Sequence, residues 1–159
     1  MSWQTRLQHL QLALSCLPTL ASSPQQRALL AEMRKFCRQL PTVLSQPIPQ
    51  AMSVLTPNDG EQRPLPPEPI TRNLSDLASL LERRSPLGLC LRRSLVRYHY
   101  LRQLDVPVAV QFGAKFVGRQ QQKDITGHAW LVLNGRPYYE AEENWRDFTV
   151  IFTWPNGES

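Results

Sequence analysis

No apolar run in this 159-residue chain approaches the roughly 20 residues that a membrane-spanning helix needs. Nor does Met1-Ser2-Trp3-Gln4-Thr5-Arg6 open a signal peptide, because Gln8, His9 and Gln11 break the apolar positions behind it. Both absences predict a cytoplasmic protein without a membrane span. Cysteine is scarce: Cys16, Cys37 and Cys90 are an odd number at wide spacing. With no CxxC pair and no Cys/His cluster, neither a disulfide framework nor a metal site is expected, and no cofactor. The net charge of +5 is spread over many arginines. Zinc-finger spacing, a homeodomain-like pattern and an aromatic–basic motif are all missing, so nucleic acid is not an expected partner.

What is present divides the chain in two. Trp3, Leu7, Leu10, Leu14 and Leu17 form one helical stripe over residues 3–20. Ser23-Pro24 opens a second helix, with Leu29, Leu30, Met33, Phe36, Cys37 and Leu40 as its apolar positions and Pro41 as its end. Cys16 and Cys37 read as small buried hydrophobes. Eight of the fourteen prolines fall between 41 and 70, which marks a largely extended linker or surface loop, with a turn at Asn58-Asp59-Gly60. The expected division is a helical segment and proline-rich linker over 1–70, then a second domain over 71–159.

In that second part a helix is predicted over 74–84, capped by Asn73 or Thr71 and broken by Ser85-Pro86-Leu87-Gly88. Another runs from about Leu89 to Leu104. After Pro107 the period falls from 3.6 to 2. Val108, Val110 and Phe112 alternate in a strand, and Lys115-Phe116-Val117 continues it or starts another. Residues 119–126 read as a polar loop. His128–Leu133, Asn134-Gly135 and Arg136–Ala141 form a hairpin, and Phe148, Val150 and Phe152 suggest a last strand. Helices followed by a small antiparallel sheet make the fold class α+β.

Cys90, His128 and Glu140 are a thiol, an imidazole and a carboxylate in a suitable order for nucleophilic acyl transfer. Cys90 lies one or two residues into a helix, where unpaired N–H groups and the helix dipole favour a thiolate. Its backbone N–H is a candidate for an oxyanion hole. The plainer reading of Cys90 is a packed core residue. Of the three histidines, His9 is in the distant N-terminal helix. His99 is nine residues from Cys90, which rotates it to the opposite side of the same helix and marks it as a surface or interface residue. His128 remains.

The hairpin tests the carboxylate. A two-residue Asn134-Gly135 turn pairs Leu133 with Arg136 and sends Glu140 to the other side of the sheet from His128. A three-residue bulged loop pairs Val132 with Arg136 and sets Glu140 opposite His128. A catalytic Glu140 therefore predicts the bulged turn. Glu142, Glu143 and Asp147 are reserve carboxylates that otherwise read as solvated loop charges, and Asp124 is too near His128 along the chain to orient it. Arg83, Arg84, Arg92, Arg93, Arg97 and Arg102 read as a solvated face that can also attract an acidic peptide.

Cys90-Leu91-Arg92-Arg93-Ser94-Leu95, Leu101-Arg102-Gln103-Leu104-Asp105-Val106-Pro107-Val108, Gly127-His128-Ala129-Trp130 and Asn134-Gly135-Arg136 together resemble the transglutaminase-like cysteine peptidases of lasso-peptide biosynthesis. The likeness covers roughly residues 72–141. It implies a papain/transglutaminase-like fold with Cys90 as nucleophile, His128 as general base and acid, and Glu140 as orienting acid. It implies removal of the leader from a ribosomally made precursor peptide through a Cys thioester. The partners it implies are that precursor, a leader-recognition protein and an ATP-dependent macrolactam synthetase. Residues 1–70 lack a strand-rich pattern, so the recognition protein is expected as a separate chain. Two positions depart from the family: Glu140 stands where Asp is usual, and Asp105 where Gly is frequent. Another transglutaminase-like amidase or acyltransferase, and a non-catalytic peptide-binding module, are the alternative functions.

Overall fold

The computed structural model describes residues 20, 21, 23–58, 64–118 and 124–156. The predicted stripe over 3–20, with His9 and Cys16, lies outside the described residues except for Leu20. So does most of the turn at Asn58-Asp59-Gly60.

Helix α1 spans Pro24–Val43, with Ser23 Oγ accepting from the Gln26 amide at 3.3 Å and Pro24 in the first turn. Leu29, Met33, Cys37 and Leu40 are its buried stripe, so Cys37 is the small hydrophobe its spacing predicts. Pro41 does not end the helix. It lies in the last turn, and the Leu44 amide closes on the Leu40 carbonyl at 2.9 Å. A proline's fixed φ suits a helix, and the lost N–H costs least near an end.

The described residues of 41–70 are not largely extended. They contain α2, Ile48–Leu55, which buries Ala51, Met52 and Leu55, and the start of α3, Glu68–Leu81. Helix α3 therefore begins at Glu68 rather than near residue 74, without a side-chain cap from Thr71 or Asn73. Pro47 and Pro67 occupy the N-caps of the two helices, and Pro49 and Pro69 their first turns. These positions need no intrahelical N–H donor. Prolines that read as extended chain here act as helix starters.

Helix α4, Leu89–Arg102, is central. Its buried residues are Arg92, Ser94, Leu95, Val96, Arg97, Tyr98, Tyr100 and Leu101. Full burial of Leu95, Val96 and Leu101 contributes about 1.5–3 kcal/mol each. The helix closes through Asp105 N–H to Arg102 O and Val106 N–H to Leu101 O, both 3.1 Å. Asp105 has φ 57° there, a left-handed position that glycine adopts without strain and aspartate tolerates. His99 is half-buried rather than a surface residue: its ring stacks on Phe36 at 4.3 Å, and Nδ1 meets the Leu55 carbonyl at 2.8 Å.

The sheet is antiparallel, in the order β3-β2-β1-β4. Strand β1 is Val108–Val117, one continuous strand; β2 is Asp124–Leu133; β3 is Arg136–Pro137; β4 is Thr149–Trp154. A four-residue helix α5, Glu142–Trp145, precedes β4. One face of the sheet, with Val108, Val110 and Leu131, completes the core formed with α1 to α4. On the other face Trp130, Ala109 and Val132 pack with Trp145 and Phe148. The fold is α+β, helices followed by a small antiparallel sheet. No helix among the described residues is long and apolar enough to cross a membrane.

Gly113 pairs with His128 across β1 and β2. A Cβ there would lie 2.8 Å from the Trp130 ring and 2.9 Å from Phe148 Cβ. Gly113→Ala is therefore expected to destabilise the fold by about 1–3 kcal/mol, read as a lower denaturant midpoint. An unchanged midpoint would mean that the packing around Trp130 is loose.

Candidate active site

Gly88 is the N-cap of α4, which puts Cys90 at the second helical position, as the sequence predicts. The first intrahelical bond runs from Arg92 N–H to Gly88 O at 3.1 Å, so the earlier amides of the turn have no helical partner. His128 is near the middle of β2. Two features bring the helix start to it. Strand β3 pairs only at Val132 and Leu133, so β2 is open to α4 at Ala129. Ser94, one turn after Cys90, then donates its hydroxyl to the Ala129 carbonyl at 2.8 Å. Cys90 consequently lies beside the residue before Ala129, where the His128 ring and the Ala129 and Leu91 backbone act on its thiol.

The hairpin turn is the tight one. Leu133 pairs with Arg136, and Asn134 and Gly135 both have positive φ, 51° and 72°. The predicted bulge is absent, and strict alternation would carry Glu140 away from His128. Alternation ends first. Tyr138 still donates its amide to Leu131 O at 2.8 Å, but Tyr139 has φ 48° and turns the chain. Glu140 thereby returns to the histidine, with Oε1 3.6 Å from His128 Nε2. That separation is an electrostatic contact rather than a hydrogen bond. With Nε2 turned to Glu140, Nδ1 is the nitrogen left for the thiol.

A positive φ at tyrosine is unfavourable by itself, and here neighbours hold it. Arg97 donates to the Tyr139 carbonyl at 3.4 Å while gripping Asp76 through two contacts of 2.5 Å. The Arg72 guanidinium lies 3.5 Å over the Tyr139 ring. Tyr138 donates its hydroxyl to Glu68, which also pairs with Arg72 at 2.6 Å. Glu140 itself is held by Arg93, and by Asn144 at 2.8 Å; its side chain is only 2% exposed.

Of the arginines read as a solvated face, Arg92 and Arg97 are buried and Arg93 is half-buried. Arg92 donates to Ser79 O and Leu87 O, Arg93 pairs with Glu140, and Arg97 pairs with Asp76. Arg93 and Asn144 are site residues that the sequence reading missed. Arg93 follows Cys90 by three positions, and that spacing on a helix was a usable signal. The reserve carboxylates do not compete with Glu140. Glu142 and Glu143 are exposed at the start of α5, Asp147 pairs with Arg146, and Asp124 begins β2 at its far end.

The electrostatics form one coupled set. Burial pushes the Cys90 thiol up, but the His128 ring and the Ala129 and Leu91 backbone outweigh it, and the thiol falls below its ordinary range. Burial pulls the His128 imidazole down, yet Cys90 and Glu140 carry it up to about 9. Burial raises the Glu140 carboxyl, while His128, Arg93 and Asn144 bring it below the usual value. A thiolate facing an imidazolium, backed by a carboxylate, is the state these shifts favour. The ring of His128 stacks at 5.7 Å on Trp130 and lies 5.3 Å from Phe148, which limits its rotation. Among the described residues no group of three His, Cys, Asp or Glu is arranged to hold a metal ion.

The family model described as transglutaminase-like superfamily matches residues 36–153, a span that includes Cys90, His128 and Glu140. No curated protein and no solved structure matches the chain.

Iodoacetamide labelling of Cys90, followed by peptide mapping, should have a pH midpoint below the ordinary thiol value of about 8.5. His128→Ala should move that midpoint up, and coincident profiles would detach the imidazole from the thiol. Linkage gives a second outcome. An imidazole raised from 6.5 to about 9 stabilises the fold fully below pH 6.5 and loses that contribution as pH rises through about 9. The thermal-midpoint advantage of wild type over His128→Ala should shrink across that window.

Proposed function

We propose that this chain, which belongs to the transglutaminase-like superfamily, is a cysteine peptidase that removes the leader from a ribosomally made precursor peptide in lasso-peptide maturation. The observation that carries the chemistry is Cys90 at a helix N-terminus, its thiol pulled down by the His128 ring, with Glu140 3.6 Å behind that ring. The Cys-Leu-x-Arg-Ser and His-Ala-Trp stretches support the substrate class through their family resemblance.

The Cys90 thiolate attacks the carbonyl carbon at the leader–core junction. The oxyanion that forms is met by the Cys90 backbone N–H, which has no helical acceptor. His128 then gives its proton to the departing amine, which is the new N-terminus of the core. The leader stays on Cys90 as a thioester. Neutral His128 next takes a proton from water, whose oxygen attacks the thioester and releases the leader carboxylate and the thiolate. Glu140 keeps the ring oriented and compensates its charge, and Arg93 and Asn144 hold Glu140. Glutamate, longer than the family's usual aspartate, suits a carboxylate that arrives from a turn rather than from a strand position opposite the histidine. The partners under this reading are the precursor, a separate leader-recognition protein and an ATP-dependent macrolactam synthetase.

The test combines this protein with a candidate precursor and its recognition partner and follows leader release by mass. Cys90→Ala and His128→Ala should abolish release. Glu140→Gln should slow it by about 10²–10⁴-fold, because the ring loses its orienting charge. Undiminished release by both the Cys90 and His128 variants would sink the peptidase reading.

A further inference from the structure

The loop that leads into α4 borders a cavity of about 620 Å³ between α1 and the end of α3. Arg34, Arg38, Arg83 and Arg84 line it, and Glu82 is its single carboxylate. Four guanidinium groups against one carboxylate leave a net charge of +3 in a small concavity. The charge of Glu82 is already engaged: its Oε1 accepts from Arg34 Nε at 2.7 Å and from Arg38 Nη1 at 2.9 Å, and its side chain is 12% exposed. Arg83 and Arg84 are exposed and make no ion pair among the described residues. Glu82 thus anchors one pair of arginines and leaves the other pair open.

We infer that this cavity binds an acidic segment of a peptide, and, resting on the peptidase reading, that this segment belongs to the substrate. Guanidinium forks match carboxylates in pairs. Pro41, Leu81 and Pro86 add an apolar lining against which the methylenes of Glu or Asp can pack. No aromatic side chain lines the cavity, so it lacks the stacking platform of a single-stranded nucleic-acid site. Arg84 precedes Cys90 by six residues, a separation of at most about 20 Å along the chain. An extended substrate of roughly six residues covers the same distance, so its acidic residues fall within about six positions of the scissile bond.

The experiment uses full-length Cys90→Ala protein, whose binding needs no chemistry, and a fluorescein-labelled hexaglutamate peptide read by anisotropy. Hexaglutamate should bind, hexaserine and hexalysine should not, and added salt should weaken the complex. R83E/R84E should weaken binding by about tenfold or more with an unchanged melting temperature. R83Q/R84Q should weaken it in the same direction by less, and it carries the test if the reversal variant melts lower. Failure of hexaglutamate to bind, equal binding by the arginine variants, or displacement of the peptide by an oligothymidylate of equal charge at lower concentration would each overturn the inference. Binding here without precursor cleavage by the wild type would instead overturn the peptidase reading alone.

Discussion

The hydrogen bond from Ser94 Oγ to the Ala129 carbonyl joins the central helix to the central hairpin, and the arrangement of the candidate site depends on it. Strand β2 has a full partner in β1, but β3 covers it only at Val132 and Leu133. An uncovered strand edge inside a fold would leave backbone groups unpaired, at about 1–3 kcal/mol each. Helix α4 fills that place. Ser94 takes the Ala129 carbonyl, which brings the first turn of the helix, with Cys90, against the same strand. The contacts that satisfy the edge of β2 also set the thiol beside His128. Shortness of β3 is therefore a condition for the site.

Charge is organised around the same helix. Arg92, Arg93 and Arg97 are spread along α4, and each reaches a different element: Ser79 on α3, Glu140 after the hairpin, and Asp76 on α3 with the Tyr139 carbonyl. A buried guanidinium is tolerated when its donors are met, and removing a partner leaves an uncompensated charge. This set holds the segment after Pro137 in a shape that its own backbone does not favour. Glu140 is delivered to His128 by the left-handed Tyr139 and by its grip on Arg93. The ion pairs that hold helices to the hairpin and those that orient the imidazole are continuous.

Several parts of this arrangement were legible in the sequence because local physics decides them. The period change after Pro107 separates helices from strands. Ser23-Pro24 starts α1, and the Pro/Gly loop before Leu89 puts Cys90 at the start of α4. Helical phase sets His99 away from Cys90, and the structure ties His99 to Leu55 and Phe36 instead. The proline-rich stretch was misread for a physical reason: proline disfavours a helix interior and favours its first turn, and composition does not say which applies. Pro47, Pro49, Pro67 and Pro69 occupy helix starts because α2 and α3 have a core to bury against.

The sequence by itself determined the residue types of the site and the local elements that bear them: a cysteine at a helix start, a histidine in a strand, and a carboxylate twelve positions on. Those features follow from turn chemistry, capping and period, which act within a few residues. Only the tertiary structure decided that Glu140 reaches His128. On the tight Asn134-Gly135 turn, alternation alone points it away. Its return depends on Tyr139 being held left-handed by Arg97 and Arg72, which lie on two different helices. No window of neighbouring residues contains that information, because the contacts connect positions more than 40 residues apart in the chain.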